Sequence, residues 1–267
     1  MTGVFELTAI GGPWARRLAP RRRWIDDLPW AEPLPQGDVD LQLVWTRTAF
    51  SEYASAAAFA EIAAALLAAG APIDLIAAAG DFVVDEIVHT EAAARLAAAL
   101  GGAIALEVDL TRLVRPPTAA AACDPLLAAA ERVVRTACVG EALTVPILKL
   151  ARRVAGSALV EAALDAIVAD EASHAQLGGW FLDWAGPRLS DPTRDGLGRV
   201  AGDAIRAFAP LFGGGCRGSG LGALACEHYD RGFADALDRA VVRPLARRGI
   251  AIPPADLAAV EPGPGGA

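Results

Sequence analysis

Three observations predict an all-α fold. Alanine dominates long stretches of the 267-residue chain, while aromatic residues make up only 6%, and alanine is the strongest helix former. Glycine, proline and capping residues cut these stretches into segments of helical length. Two of the segments carry one pattern, Asp85-Glu86-x-x-His89 and Asp170-Glu171-x-x-His174, and each follows a segment that holds a further glutamate.

Taken in order, residues 1 to about 44 read as an irregular arm. Gly11-Gly12-Pro13, Pro20, Pro33 and Pro35 interrupt it, and such residues break long elements. Trp14, Trp24 and Trp30 are expected to fasten it to the body. A first helix is predicted from about Thr46 to Ala69. Gly70 closes it near its C-cap and Pro72 follows just beyond. A second helix runs from about Ile73 to Leu100, ended by Gly101-Gly102. About twenty residues follow, with Pro116-Pro117 and a short strand near Ile104–Val108. That length is too great for a helical-hairpin loop and suits a crossover.

Asp124-Pro125 supplies an N-cap and a first-turn proline for a third helix, which continues to about Val154 with a kink expected at Pro146. Gly156-Ser157 turns the chain into a fourth helix, about Ala158 to Trp184. Asp191-Pro192 opens a fifth, to about Phe212. Gly213–Gly215 and Gly218–Gly222 make a flexible loop, and a sixth helix spans about Ala225 to Arg248. The chain thus divides into an arm (1–44), a hairpin–crossover–hairpin body (45–186), two added helices (187–252) and a loose tail (253–267).

The net charge of −8 argues against a nucleic-acid groove. The cluster Arg16, Arg17, Arg21, Arg22 and Arg23 reads as a solvated arm. No uncharged run reaches the length of a membrane span, and no basic start leads into an apolar signal core. The four cysteines, Cys123, Cys138, Cys216 and Cys226, show no paired spacing. Reduced thiols and a cytoplasmic protein are therefore expected.

The repeated motif carries the chemistry. On a helix, positions i and i+3 share a face, so each segment presents one carboxylate and one imidazole together. Two of the chain's three histidines are used in this way; His228 reads as an ordinary helix-start residue. With Glu86 and His89, helical spacing aligns Leu75, Phe82, Ala93 and Leu96. With Glu171 and His174 it aligns Val160, Ala163, Ile167, Gly178 and Phe181. With Glu141 it aligns Leu127, Val134, Cys138, Val145 and Leu148. All three glutamates therefore sit on apolar stripes. A buried, unpaired carboxylate costs several kcal/mol, roughly, unless it is protonated, paired or metal-bound. A fourth glutamate is Glu52, whose face holds Trp45, Ser55, Phe59 and Leu66; Glu61 on nearly the opposite face is the alternative. Superposing the two motifs sets Glu52 against Glu141, with a four-residue difference in spacing.

The order Glu52, Glu86-x-x-His89, Glu141, Glu171-x-x-His174 resembles the ferritin-like superfamily of carboxylate-bridged di-iron proteins, over roughly residues 46–184. The resemblance implies an antiparallel four-helix bundle with two irons, or manganese, in its middle. It implies that Glu52 and His89 bind one metal, that His174 and a later glutamate bind the other, and that Glu86 bridges. Whether Glu141 or Glu171 is the second bridge stays open. In the similar ribonucleotide reductase small subunits an Asp before the motif Glu reaches the His of the opposite helix, which implies Asp170 to His89 and Asp85 to His174. Tyr53, Cys138 and Thr144, near ligand positions, are candidates to border a substrate or oxygen pocket.

The expected activity is O2-dependent oxidation of a small organic substrate, with an electron-donor protein as possible partner and a dimer as one possible assembly. A ferroxidase or iron-storage protein, with Fe(II) as substrate, is the alternative. A metal-free helical interaction protein is the second.

Overall fold

A computed structural model describes residues 3–116, 118–213 and 220–258. The protein is mostly helical. Its only paired strands among the described residues are two short ones, β1 (Gly3–Val4) and β2 (Glu107–Val108), which are antiparallel.

Four helical stretches surround the candidate site. Helix α2 (Val39–Ala68) starts at Asp38, whose carboxylate accepts from the backbone N–H groups of Asp40 and Leu41. It ends where expected, at Gly70 with φ +61°, a left-handed conformation that costs glycine little. Helix α3 (Ile73–Ala99) folds back along it in an extensive helix–helix contact. The third stretch is α4 (Pro125–Val133), a π-helical segment (Val134–Glu141) and α5 (Ala142–Arg153). The fourth is α6 (Ala158–Ala185), capped by Ser157. Helix α2 packs on α3 and α4, and α6 packs on α3, α5 and the π segment. By length and mean hydropathy, 1.2, α2 is apolar enough to cross a membrane. Here it turns Trp45, Glu52, Phe59 and Leu66 into the protein interior.

Outside this body, α7 (Asp191–Gly213) lies against the π segment. Helix α8 (Cys226–Ala236) lies against α5 and runs through a second π segment (Leu237–Val242) into α9 (Arg243–Ala246). The sixth predicted helix is thus broken into three pieces. A short α10 (Pro254–Ala258) falls within the expected loose tail and packs on α7. Most of the glycine-rich loop and the last residues of the tail lie outside the described residues.

The arm differs from the expectation of irregular structure. Gly12–Asp26 form a helix, α1, with Pro13 in its first turn and Pro20 inside it. Proline in the first turn loses no hydrogen bond. The interior proline is offset by a row of ion pairs to α3: Arg21 to Asp81 and Asp85, Arg22 to Glu91, and Asp26 to Arg95. These pairs also correct the reading of the arginine cluster as a solvated arm. Trp24 and Trp30 pack on Ile25, Val88 and Ala92 as expected of fasteners. The side chain of Trp14 lies outside the described set.

The third stretch also departs from its expected regular form. Residues Ala137 to Glu141 are buried without interruption, which an α-helix presenting one stripe does not do. The segment is covered from more than one side, by α6 and by α7. Two glycines let neighbours press on it. A Cβ on Gly140 would stand 2.8 Å from the Phe208 ring of α7, and one on Gly178 of α6 would stand 2.5 Å from Cys138 Sγ. Past Glu141 the buried stripe becomes Leu143, Ile147 and Ala151; the expected Val145 and Leu148 are only partly buried.

Candidate metal centre

Six side chains from the four stretches meet in the interior. Glu52 comes from α2, Glu86 and His89 from α3, Glu141 from the end of the π segment, and Glu171 and His174 from α6. None is more than 6% exposed. They form two overlapping groups, Glu52–Glu86–His89–Glu171 and Glu86–Glu141–Glu171–His174. Within each group the donor atoms lie within 4.8 Å of one another. Glu86 and Glu171 belong to both groups, so the structure singles out Glu171 rather than Glu141 as the partner of Glu86 at the centre. Glu61 points elsewhere, to Arg132 at 3.5 Å.

The two halves mirror each other. His89 turns Nδ1 inward, 3.3 Å from Glu171, 3.7 Å from Glu86 and 3.9 Å from Glu52. His174 turns Nδ1 inward, 3.1 Å from Glu86 and 3.0 Å from Glu171. The outward nitrogens face carboxylates on the opposite motif. His89 Nε2 is hydrogen-bonded to Asp170 at 3.2 Å, and His174 Nε2 stands 3.5 Å from Asp85. The two ring centroids are 6.0 Å apart. Phe59 and Phe82 close over His174, at 5.2 and 4.2 Å between ring centroids, and the Trp24 ring approaches His89.

The electrostatics follow from this crowding. Burial, then the charges of Glu86 and Glu171, push the Glu52 carboxyl well above its usual range; burial, then Glu171 and Glu86, do the same to Glu141. Burial would raise Glu171 too, but its hydrogen bond to His174 and the nearby His89 ring hold it low. Burial disfavours both imidazolium ions, yet the surrounding carboxylates win. His89 is raised well above its ordinary value by Asp170, Glu171 and Glu86, and His174 is raised to about 12 by Asp85, Glu171 and Glu86. Asp85 is lowered against its own burial by His174 and by Arg21 of α1.

A divalent cation pair fits these residues. Both Glu86 carboxylate oxygens, His89 Nδ1 and Glu171 Oε1 are buried without a hydrogen bond, although buried polar groups are ordinarily satisfied. These atoms point toward one another. Oxygen ligands about 2 Å from an octahedral ion stand roughly 3 Å apart, so the inward spacings are close to what shared ions require. Each ion would find one unshared Glu, one His and two shared Glu. Carboxylate with imidazole suits iron, manganese or zinc over softer ions. The Cys138 thiol, pushed up to about 12 by burial, stays neutral and does not compete.

The three pocket candidates separate. Cys138 lines a cavity beside the cluster. Thr144 does not line it; its hydroxyl donates to the Gly140 carbonyl at 3.0 Å, supporting the π turn. Tyr53 is turned away, its ring against Phe5 at 5.4 Å. Sequence reasoning missed Arg21, for which the only signal was its place in a basic run. His228 has no described side chain.

Together these features define a helical protein with a buried glutamate–histidine cluster able to bind metal. No protein-family description, curated protein or solved structure matches the chain.

Proposed function

We propose that the chain is a ferritin-like, carboxylate-bridged di-iron oxidoreductase that uses O2 to oxidise a small organic molecule. The observation that carries this reading is the pair of overlapping clusters sharing Glu86 and Glu171, with both Glu86 oxygens, His89 Nδ1 and Glu171 Oε1 buried and unsatisfied. Glu52 and His89 would hold one ion, Glu141 and His174 the other. When bound, two ferrous ions supply electrons for reducing O2 at a site sealed from water. In an oxygenation, one oxygen atom enters the substrate and the other leaves as water. In a desaturation both leave as water. Either reaction draws two further electrons from a donor protein.

The chain's own residues serve this chemistry in definite ways. Asp170 accepts the outward N–H of His89, and Asp85 stands 3.5 Å from the outward nitrogen of His174, so each ring is held with Nδ1 inward. Phe59 and Phe82 keep water from His174. Arg21 holds Asp85 from outside and so acts on His174 at one remove; Asp170 has no such ion pair among the described contacts. Arg21→Ala is therefore expected to weaken metal binding at the Glu141–His174 half about tenfold, in the range of such outer contacts, and to leave the other half nearly unchanged. Co(II) titration followed by its visible absorption checks this. Affinities unchanged from wild type at both sites would count against it, and Arg21→Lys should retain most of the wild-type binding.

The test of the function itself is metal stoichiometry after anaerobic loading with Fe(II). Two irons per chain are expected, lost in His174→Ala. Many irons per chain would replace this reading with iron storage. No iron or manganese above background would leave a metal-free helical protein.

A further inference from the structure

A cavity of about 470 Å³ opens beside the Glu141–His174 half of the cluster. Its inner wall is Cys138, Ala142 and Ala175. Ala142 and Ala175 directly follow Glu141 and His174 in the chain, and Cys138 lies one turn before Glu141. The wall continues with Val145, Pro146 and Leu245. Burial falls from the inner end outward. Cys138 is 8% exposed, whereas Trp180 at the mouth is 43% exposed. Such a large indole left open at the mouth of an apolar cavity offers a flat face for a ring.

Two adjacent glycines inside α6, Gly178 and Gly179, need an explanation, because each costs up to about 1 kcal/mol there relative to alanine. Gly178 admits Cys138 to the helix surface. Gly179 lines the cavity, and a Cβ on it would stand 3.3 Å from Arg248 Nη2. The second glycine therefore leaves space where the Arg248 guanidinium enters the rim.

The rim's charge limits what can enter. Arg248 Nε is 3.0 Å from Asp183, and Nη1 donates to the Pro244 carbonyl at 3.3 Å. The arginine and the aspartate neutralise each other. An anionic head would have to displace Asp183, and a cationic head would have to displace Arg248. Either exchange trades one exposed ion pair for another and so gains a charged head little, while the apolar wall would still strip its water. A hydroxyl or carbonyl can bond to this rim and leave the pair intact. Gln176 is also on the rim; its side-chain NH2 donates to the Ala172 carbonyl, leaving its carbonyl oxygen to accept.

We infer that this cavity is the organic-substrate site and that it takes an uncharged, mostly apolar molecule of two or three rings. The ring system lies against Trp180 and the apolar wall, its leading edge reaches Cys138 and Ala142, and one hydroxyl or carbonyl stays at the Asp183–Arg248 rim. The volume falls in the range of sites for molecules of that size. The inference rests on the di-iron reading for its claim that the bound molecule is a substrate.

Three probes of one shape and three charges test it: 4-phenylphenol, 4-phenylbenzoate and 4-phenylbenzylammonium. Each is titrated calorimetrically into metal-free protein, and metal stoichiometry is measured separately. The expected result is that 4-phenylphenol binds at least tenfold tighter than either ion. Ala240→Trp, which fills the cavity from a wall away from every metal ligand, should abolish binding and leave the metal count at two. Trp180→Ala, at the exposed mouth, should weaken binding several-fold without disturbing the fold. Equal affinity for the three probes, or binding that survives both substitutions, overturns the inference. Two metals bound with no uptake of 4-phenylphenol overturns it as well and leaves the di-iron reading intact. Uptake of 4-phenylphenol by a chain that binds no metal sinks the di-iron reading and with it the substrate role.

Discussion

Replacing Glu86 with leucine is expected to abolish binding at both metal positions and, in the absence of metal, to stabilise the protein. Glu86 is wholly buried, and neither carboxylate oxygen makes a hydrogen bond. It belongs to both clusters, so its loss disturbs each ion. In the metal-free state the centre holds four glutamates for two imidazoles. Glu86 is near both rings, at 3.7 and 3.1 Å, but Glu171 stands 3.3 and 3.0 Å from the same two nitrogens and remains when Glu86 is removed. The desolvation of a buried charge often exceeds what its pairing returns, and apolar replacement of comparable volume is often stabilising by about 1 to 4 kcal/mol. Urea unfolding of the chelated protein should place Glu86→Leu above wild type by an amount in that range. Adding Fe(II) anaerobically should then raise wild type alone, because only a binding-competent native state gains from the ligand. A substitution that lowers metal-free stability by the cost of an ordinary core defect would mean that Glu86 is held by contacts of its own and is not kept for metal.

Much of this centre was legible in the sequence because it depends on two strong local rules. Glu86 with His89 and Glu171 with His174 are three residues apart on helices whose same-face neighbours are apolar, and that spacing needs no tertiary knowledge. Every residue expected on those two stripes is buried. Glu52 over Glu61 was readable from the same rule. The stripe around Glu141 was not, because stripe spacing holds only at 3.6 residues per turn. The π segment breaks that assumption, and the residues packed closely on it are distant in sequence: Phe208 against Gly140 and Gly178 against Cys138. Helix α1 was missed for a related reason. Its prolines are strong local breakers, and what outweighs them is a row of ion pairs to α3, some sixty residues away in sequence. The start of α2 was misplaced although its signal, Asp38 as N-cap, was present. Which way Tyr53 turns depends on Phe5 and on the β1–β2 pairing, and no local pattern encodes that.

The metal-free protein is expected to lose stability as pH rises above about 4.5, and more steeply above about 6.5, opposite to the behaviour of the loaded form. Four groups set the sign. His89 and His174 are raised in the folded state, so the stability they contribute is fully present below the unfolded histidine value and declines as pH climbs toward the folded one. Glu52 and Glu141 are also raised. Their contribution is present below the unfolded carboxyl value and is likewise lost with rising pH. Near neutrality the folded chain therefore binds more protons than the unfolded one, and each extra proton lowers the unfolding free energy by about 1.4 kcal/mol per pH unit. Glu171 is the exception. Its lowered value gives stability that is present above the usual carboxyl range and lost in acid, which closes the profile on the other side. Maximum stability without metal should fall near the usual carboxyl range, about pH 4 to 5, because above it Glu52 and Glu141 keep protons that the unfolded chain has lost. Metal reverses the slope, because an ion takes the place of the protons that His89 and His174 would otherwise hold, and ligands must be deprotonated to bind. The stabilisation by metal should thus grow with pH, and loading should release protons. Chelated and Mn(II)-loaded protein melted at pH 5.5, 7 and 8.5 would show the two curves separating. Calorimetric loading in two buffers of different ionisation heat would count the protons. Parallel curves with no proton release would mean that the six buried side chains are not the ligands.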